Sequence, residues 1–221
     1  WEQFMVYTKR VWFSNGIHHH YSNDKFIPEF TQEYFAELVK NTPADKFNTT
    51  LGSTDEIIAK LTPILFDPNV ATKRVNQDAG VDMVAASACN YYEGVTQKEV
   101  EDFYAKMMNP KDTTPISYGL NSKLVKENGK VIEKVWKIDG MYGAAIAKIV
   151  YWLEKAATVA ENEHQRNIIN TLIEYYKSGD LKKFDEYNVL WVSDVNSHID
   201  FVNGFIENYG DPMGYKSSWE A

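Results

Sequence analysis

Two side chains that could share one small ligand stand close together near the C-terminal end of the sequence, a carboxylate at Glu207 and a phenol at Tyr209. Both belong to Ile199–Tyr209, which predicts a strand because a Gly-Asp-Pro breaker follows it. Side chains alternate across a strand, so residues two apart share a face and lie roughly 7 Å from each other. On this pattern one face carries, in order, Phe201, Asn203, Phe205, Glu207 and Tyr209. A ligand group could contact the last two, although a strand end whose polar residues simply face solvent gives the same pattern.

Longer strings around these residues resemble one known protein family. The strings Trp191-Val-Ser-Asp and Phe205-Ile-Glu-Asn-Tyr-Gly-Asp-Pro are similar to the substrate-binding strand of the dipeptidyl peptidase III family, which consists of zinc-dependent exopeptidases. Two further strings resemble the bacterial branch of that family: Trp12-Phe-Ser-Asn-Gly-Ile-His-His-His-Tyr-Ser-Asn-Asp-Lys-Phe and Ser117-Tyr-Gly-Leu-Asn-Ser-Lys-Leu-Val-Lys-Glu-Asn-Gly-Lys. The resemblance is specific because several long strings match, and it touches both ends and the middle of the chain.

The resemblance implies a role for four residues. Glu207 matches the glutamate that receives the free N-terminal ammonium of a peptide, and Tyr209 matches the tyrosine that hydrogen-bonds the scissile carbonyl as it gains negative charge. Asn208 matches a position that pairs with the substrate, and Trp191 matches an aromatic residue that walls a subsite. An oligopeptide laid along this strand would be held mainly by main-chain hydrogen bonds, as in β-augmentation.

A zinc peptidase needs two histidines one helical turn apart, a third ligand and a carboxylate base. The sequence contains neither His-Glu-x-x-His nor the longer His-Glu-x-x-x-His that the resemblance implies. We therefore expect no zinc site and no peptidase activity within these residues. The resemblance instead implies that zinc and the general base come from a missing part of a longer polypeptide, and that 1–221 forms most of the substrate-binding lobe facing it across a cleft. The start at Trp1 and the aromatic-rich end also favour an excised piece.

A second interpretation stays open. The chain could be a stand-alone helical domain that binds a peptide or a protein without catalysing a reaction, with Glu207 and Tyr209 as ordinary surface residues. The parent open reading frame separates the two interpretations. A His-Glu-x-x-x-His downstream supports the peptidase, and a stop codon near Ala221 supports the stand-alone domain.

Three consecutive histidines, His18, His19 and His20, form a second cluster of side chains that can bind metals. Adjacent residues of an extended segment point alternately, so at most His18 and His20 could share one ion. No aspartate, glutamate or cysteine stands at a recognisable metal-site spacing nearby. The sequence therefore favours a loop whose histidines hydrogen-bond to the backbone or to neighbours. His164 is expected at a solvated helix position, and no function is assigned to His198.

The composition excludes several classes of protein. The 221 residues suit one large domain or two small ones, and their 44% hydrophobic and 24% charged side chains are ordinary for a globular protein. The 31 acidic against 23 basic residues give a net charge of −8, which disfavours a dedicated nucleic-acid surface. No apolar run reaches the roughly 18 residues that a membrane-spanning helix needs. Cys89 is the single cysteine, which excludes an intrachain disulfide and leaves the compartment undecided.

The patterns along the rest of the chain predict an α+β domain in which helices dominate and the strands are grouped. Helical periodicity covers 1–110 and 140–190, with capping boxes at Ser53–Glu56 and Thr96–Glu99. A β-hairpin is predicted within 115–138, and the candidate strand follows the second helical region. The helices and the hairpin would therefore have to position the candidate strand.

Four local patterns sharpen this prediction. Asn128-Gly129 predicts a type I′ turn, because that turn needs a positive φ at both central residues. Pro63 should end or kink the helix in which it lies. The helix Gly140–Ala160 is apolar around most of its circumference, which is typical of a central helix. The string Asn90-Tyr91-Tyr92 lies in a polar stretch and is assigned no role beyond packing.

Overall fold

The computed structural model describes residues 1–47 and 51–221 and shows an α+β fold in which helices predominate, as the sequence predicts. The three residues outside this description fall within the predicted helical region 1–110. The helices are α1 (Glu2–Phe13), α2 (Gln32–Asn41), α3 (Thr54–Phe66), α4 (Met83–Ala86), α5 (Gln97–Ala105), α6 (Gly143–Thr158), α7 (Glu163–Ser178) and α8 (Leu181–Ser193). The strands are β1 (Tyr92–Glu93), β2 (Ser122–Glu127), β3 (Lys130–Val135), β4 (Gly204–Glu207) and β5 (Ser218–Glu220). No helix in the described part of the chain is long and apolar enough to cross a membrane.

The chain forms two compact units. The first consists of Trp1–Val81 and Ala86–Ala88, and the second of Asp82–Ala85 and Cys89–Ala221. The prediction that 1–221 forms most of one lobe concerns a longer polypeptide, and it stays a prediction.

The first unit packs α1, α2 and α3 around aromatic rings. Its buried apolar side chains include Tyr7, Phe30, Phe35, Val39 and Ile57. α3 begins with the predicted capping box, in which Ser53 N donates to Glu56 Oε2 at 2.7 Å and Glu56 N donates to Ser53 Oγ at 3.4 Å. Pro63 does not end α3, which continues to Phe66 and closes with a bond from Asp67 N to Pro63 O at 3.1 Å. A proline this close to the helix end removes one backbone donor, and the last turn keeps the bonds that follow it.

The central helix of the second unit is α7. It buries apolar and aromatic side chains along its length, including Ile168, Ile169, Leu172, Ile173, Tyr175 and Tyr176, and α6 and α8 both pack against it. The prediction that α6 occupies the centre is wrong. Its buried residues Ile146, Val150 and Leu153 lie on one face, and Trp152 is 69% exposed. An apolar circumference leads to full burial only where a second surface covers the outer face.

Two small sheets complete the second unit. β2 and β3 form the predicted hairpin, with Asn128 and Gly129 at positive φ angles of 50° and 75°. β1 pairs in parallel with β2, an addition that the sequence patterns do not predict. β4 and β5 form a separate antiparallel pair in which Phe205 lies opposite Trp219. Glu207 therefore belongs to a sheet separate from the one that contains β2 and β3.

The predicted strand Ile199–Tyr209 is too long, because β4 covers only Gly204–Glu207. Side chains near the start of α7 hold the backbone that precedes it. Gln165 Nε2 donates to Ile199 O at 3.0 Å, and Glu161 accepts a bond from Ile199 N at 2.9 Å. These side-chain bonds replace the bonds that a strand ladder would supply, so the residues just before β4 stay irregular.

Candidate functional site

Phe205 fixes β4 to the core of the second unit. Its side chain is 6% exposed, and its ring centroid lies 4.9 Å from that of Trp136 and 6.3 Å from that of Tyr176. The preceding Gly204 passes so close to Phe184 that a Cβ atom there would lie 2.8 Å from Cε2 of that ring. The strand therefore rests directly on the core of the second unit at these two residues.

Glu207 ends β4 with a half-exposed carboxylate. The pairing with β5 shifts between Phe205 and Glu207, so a bulge separates these two residues. A bulge interrupts the alternation of faces, and the shared face expected for them no longer follows from the strand pattern. Among the described residues, 1–47 and 51–221, the Glu207 carboxylate has no hydrogen-bond or ion-pair partner. It can therefore accept a cation without breaking an existing contact.

Asn208 and Tyr209 lie in the turn after β4 and not in the strand. Asn208 Nδ2 donates to Gly214 O at 3.0 Å, and Tyr209 is 56% exposed. The prediction that Glu207 and Tyr209 lie on one continuous strand is wrong, since the strand ends between them. Glu207, Asn208 and Tyr209 are consecutive in the sequence and therefore lie close together. The roles expected for them stay predictions.

Trp191 lies in the last turn of α8, which continues past the predicted end at Leu190. Its ring is half-buried against the core of the second unit, and its Nε1 donates to Asp200 Oδ1 at 2.8 Å. This bond ties the end of α8 to the segment that leads into β4. Because the indole N–H is already bonded, Trp191 can offer a ligand mainly the face of its ring. Its role in a subsite stays a prediction.

Asp211 organises the turn that carries Asn208 and Tyr209, although the sequence patterns treat it only as a breaker. Its side chain is buried, at 3% exposure. The carboxylate accepts four hydrogen bonds, at Oδ1 from Met213 N (3.0 Å) and at Oδ2 from Tyr215 N (2.8 Å), Lys216 N (2.7 Å) and the Tyr92 hydroxyl (2.7 Å). Burial and the nearby Asp211 charge raise the pKa of Tyr92, so its hydroxyl remains a donor.

Lys216 is fully buried beside Asp211. Its Nζ contacts the hydroxyl of Tyr104 and Ser122 Oγ (2.9 Å), and it lies 3.7 Å from Glu133 Oε1. The two hydroxyl groups in turn donate to Glu133 Oε1 at 2.7 Å each. Burial lowers the pKa of Lys216 to about 8, against the attraction of Glu133 and Asp211. The structure thus contains a buried polar cluster that the sequence patterns do not indicate.

An apolar cavity of about 490 Å³ lies beside the hairpin formed by β4 and β5. Trp136, Ile146, Phe205 and Trp219 line it, and Lys123 adds a polar group that already pairs with a glutamate. The Trp136 Nε1 atom is buried and has no hydrogen-bond partner among the residues that the structure describes. The string Asn90-Tyr91-Tyr92 is the part of the sequence that could have indicated this cavity and the buried polar cluster. Its first two residues line the cavity, and the hydroxyl of the third donates to Asp211.

The histidine triplet lies in the first unit, where its members contact the backbone. His18 Nε2 lies 2.6 Å from Ala71 O, and burial lowers the pKa of this imidazole. His19 Nδ1 accepts bonds from Tyr21 N and Ser22 N at 3.2 Å. The predicted loop with histidines bonded to the backbone is confirmed for both. In the described part of the chain, no group of three His, Cys, Asp or Glu side chains could hold a metal ion.

The other two histidines link the region where α7 begins to the end of α8 and the segment that follows it. His198 N donates to both carboxylate oxygens of Glu161 at 3.0 Å, and its ring Nδ1 lies 2.8 Å from Glu161 Oε2. These bonds, together with one from Ile199 N, lower the pKa of Glu161 to about 2. His164 lies at an exposed position of α7, as the sequence predicts, and its Nε2 also lies 3.0 Å from Ser193 Oγ.

Comparisons with known proteins give a consistent result. Residues 72–221 match the model of peptidase family M49. The whole chain aligns with dipeptidyl peptidase 3 of Dictyostelium discoideum at 24% identity, covering 32% of that protein, and with that of Rattus norvegicus at 22% identity, covering 33%. The structure of DPP III from Caldithrix abyssi aligns with 85% of this chain and 33% of its own, with a TM-score of 0.48 and 15% identity. The chain spans about a third of the length of the curated relatives that it matches.

Proposed function

Because the chain belongs to peptidase family M49, we propose that it forms the substrate-binding part of a zinc metallo-dipeptidyl-peptidase. Such an enzyme removes dipeptides from the free N-terminus of oligopeptides. The matched relatives are about three times as long as this chain. We therefore place the zinc ion and the general base in sequence outside residues 1–221, in a catalytic lobe that faces this part across a cleft.

The observation that carries this proposal is the carboxylate of Glu207, which has no partner within the described residues 1–47 and 51–221 and ends a strand whose Phe205 is buried. A peptide N-terminus is an ammonium group, and hydrogen bonds between ionised partners are roughly twice as strong as neutral ones. A carboxylate held at a fixed distance from the catalytic centre would place the scissile bond two residues from the N-terminus of the peptide. It would also reject a blocked N-terminus, which carries no charge.

Three further residues are proposed to contact the peptide. Tyr209 would donate its hydroxyl proton in a hydrogen bond to the scissile carbonyl oxygen as that oxygen gains negative charge. Asn208 would pair with the substrate through its backbone or Oδ1, because its Nδ2 already holds Gly214 O. Trp191 would wall a subsite with its ring. The peptide backbone would lie along β4, where main-chain bonds give affinity without demanding particular side chains.

The donor groups of this chain do not fit the zinc ion that the proposed enzyme requires. The sequence lacks both His-Glu zinc motifs, and no three suitable side chains converge among the described residues. None of these residues is therefore assigned as a zinc ligand or as the general base. The chain alone is expected to have no peptidase activity.

Titration calorimetry with the 221-residue chain tests the proposal. An oligopeptide with a free N-terminus should bind more tightly than its N-acetylated form, because only the free amine can pair with Glu207. Glu207→Gln should remove most of this difference. The matched control is Glu220→Gln, which changes a half-exposed carboxylate on the paired strand, opposite Gly204. Equal affinity for the two peptides, or equal effects of the two substitutions, would contradict the proposal.

In the full-length enzyme the two main residues should separate kinetically. Tyr209→Phe should lower kcat by roughly 10²–10³-fold, because the lost bond forms mainly in the transition state, with little change in KM. Glu207→Gln should also weaken substrate binding, by about 2–5 kcal/mol, since it removes a charge that already acts in the ground state. Parental kinetics for Tyr209→Phe would remove that residue from the mechanism.

A further inference from the structure

The turn after β4 is closed on the carboxylate of Asp211. Three backbone N–H groups that follow it point to this one side chain, those of Met213, Tyr215 and Lys216. The backbone of the turn adds two bonds, from Asp211 N to Asn208 O at 3.0 Å and from Gly214 N to Asp211 O at 3.1 Å. The path of the chain from Asn208 to Lys216 is therefore set around one buried, charged acceptor.

A fourth donor connects this turn to a distant sheet. The Tyr92 hydroxyl donates to Asp211 Oδ2 at 2.7 Å across 119 positions of the chain. Tyr92 lies in β1, where it pairs with Leu124 of β2, a fully buried residue. Tyr92 thus connects the Asp211 carboxylate to the three-stranded sheet of the second unit, so the turn alone does not determine its position.

Lys216 anchors the other side of the turn. Its Nζ reaches the hydroxyls of Tyr104 in α5 and Ser122 in β2, and it lies near Glu133 in β3. Gly119 leaves the room for this arrangement, because a Cβ atom there would lie 2.5 Å from the Tyr104 hydroxyl oxygen and 3.0 Å from Lys216 Nζ. The turn is therefore fixed at Asp211 and again where it enters β5.

We infer that Asp211, held by the hydroxyl of Tyr92, is a positioning residue. It fixes the turn after β4 and thereby sets the directions of Glu207, at the end of the strand, and Tyr209, in the turn. The carboxylate suits this task because it only accepts hydrogen bonds, so four donors can share its two oxygens. An amide in its place would direct N–H groups at some of those donors. The inference rests on the proposed function for what Glu207 and Tyr209 bind, but not for how the turn is held.

Hydrogen exchange of individual amides in the 221-residue chain tests how the turn is held. Tyr92→Phe and Asp211→Asn should speed exchange of the Tyr215 and Lys216 amides by about 10–100-fold, the range for losing a hydrogen bond to a charged group. The Leu172 amide in α7 should keep its parental rate. Tyr151→Phe is the matched control, since that hydroxyl has no hydrogen-bond partner among the described residues. Should Asp211→Asn fail to fold, the milder Tyr92→Phe still decides the result.

Peptide binding to the same variants tests the positioning role. Tyr92→Phe should reduce the preference for a free over an acetylated N-terminus about 10-fold while Leu172 stays protected, an effect that a general loss of stability would not produce. Parental exchange at Tyr215 and Lys216, or an equal change at Leu172, would overturn the inference. An unchanged peptide preference despite faster local exchange would overturn it as well. If the parental chain shows no preference for a free over an acetylated N-terminus, the proposed function fails. The positioning role is then tested by the amide resonances of Glu207 and Tyr209, and unshifted resonances in Tyr92→Phe would contradict it.

Discussion

The hairpin formed by β4 and β5 is held in two different ways at its two ends. At the open end, Phe205 and Trp219 lie opposite each other and pack beside Trp136 at the rim of an apolar cavity. At the turn end, Asp211 and Lys216 are buried among hydroxyl groups, carboxylates and backbone donors. The open end is held mainly by the burial of its rings, with one hydrogen bond from Trp219 Nε1 to the Tyr176 hydroxyl at 2.8 Å. The turn end is held by several directional hydrogen bonds to Asp211 and Lys216.

The difference shows which end can define the geometry of the candidate site. Apolar contacts are not directional, and the adjacent cavity leaves room for the rings at the open end to shift. The partners at the turn end must each be satisfied, because a buried polar group without a partner costs free energy. Glu207 and Tyr209 lie next to the turn end, where small changes in contacts should change the structure most.

The largest effect is expected from Asp211→Ala, which leaves three backbone N–H groups and the Tyr92 hydroxyl without their acceptor. The free energy of unfolding should fall by about 3–5 kcal/mol, the range for breaking a buried charged network. Chemical denaturation followed by tryptophan fluorescence measures this loss. Asp102→Ala, on the exposed face of α5, should change stability by less than about 0.5 kcal/mol. Similar losses in the two variants would show that the turn end is not held as described.

The second effect is a rise of stability between about pH 8 and pH 10 that only the turn end should show. Burial lowers the pKa of Lys216 to about 8, below its ordinary value of 10.5. Between these values the unfolded chain binds the proton more tightly, so stability should rise with pH by up to about 1.4 kcal/mol per pH unit. Above about pH 10 the trend should reverse, because burial raises the pKa values of Tyr92 and Tyr104 and only the unfolded chain then loses their protons.

Denaturation curves at pH 7, 8, 9 and 10 measure this rise. Lys216→Met should abolish it, whereas Lys182→Met, at an exposed position of α8, should leave it unchanged. A rise of the same size in Lys216→Met would assign the pH dependence to other groups and weaken the distinction between the two ends.

The smallest effect is expected at the open end, from Phe205→Leu. The substitution keeps an apolar side chain of similar volume beside an existing cavity, so stability should fall by about 1 kcal/mol. The same denaturation experiment measures it, with Phe13→Leu as a control at a side chain that is 88% exposed. A loss larger than that of Asp211→Ala would reverse the comparison and make ring packing the main determinant of the hairpin.

Local patterns predicted the elements whose bonds are local. The turn at Asn128-Gly129, the capping boxes at Ser53 and Thr96, and the helical predominance are all confirmed. Each depends on residues within a few positions, where the chemistry of one side chain decides the backbone. The predicted strand was too long because Glu161 and Gln165 bind the backbone near Ile199 from more than 30 positions away, and no local pattern contains that information.

The candidate site was only partly predictable, for the same reason. The spacing of Glu207 and Tyr209 fitted a solvent-exposed strand end equally well, and their proposed roles came from the resemblance to a family. The sequence patterns do not indicate the roles of Asp211 and Lys216. A lysine beside two serines looks like a surface residue in the sequence, and its burial follows from partners more than 80 positions earlier, such as Ser122 and Glu133.

The long separation between Tyr92 and Asp211 also has a consequence for the order of folding. β4 and β5 are joined by a short segment, so their pairing can form on the microsecond scale of an isolated hairpin. The bond to Tyr92 spans 119 positions, and that from Lys216 to Tyr104 spans 112. Contacts of such long range form only after the intervening chain has lost conformational entropy. The segment with Glu207 and Tyr209 therefore reaches its final geometry late, so a folding intermediate can contain the hairpin and still lack the site.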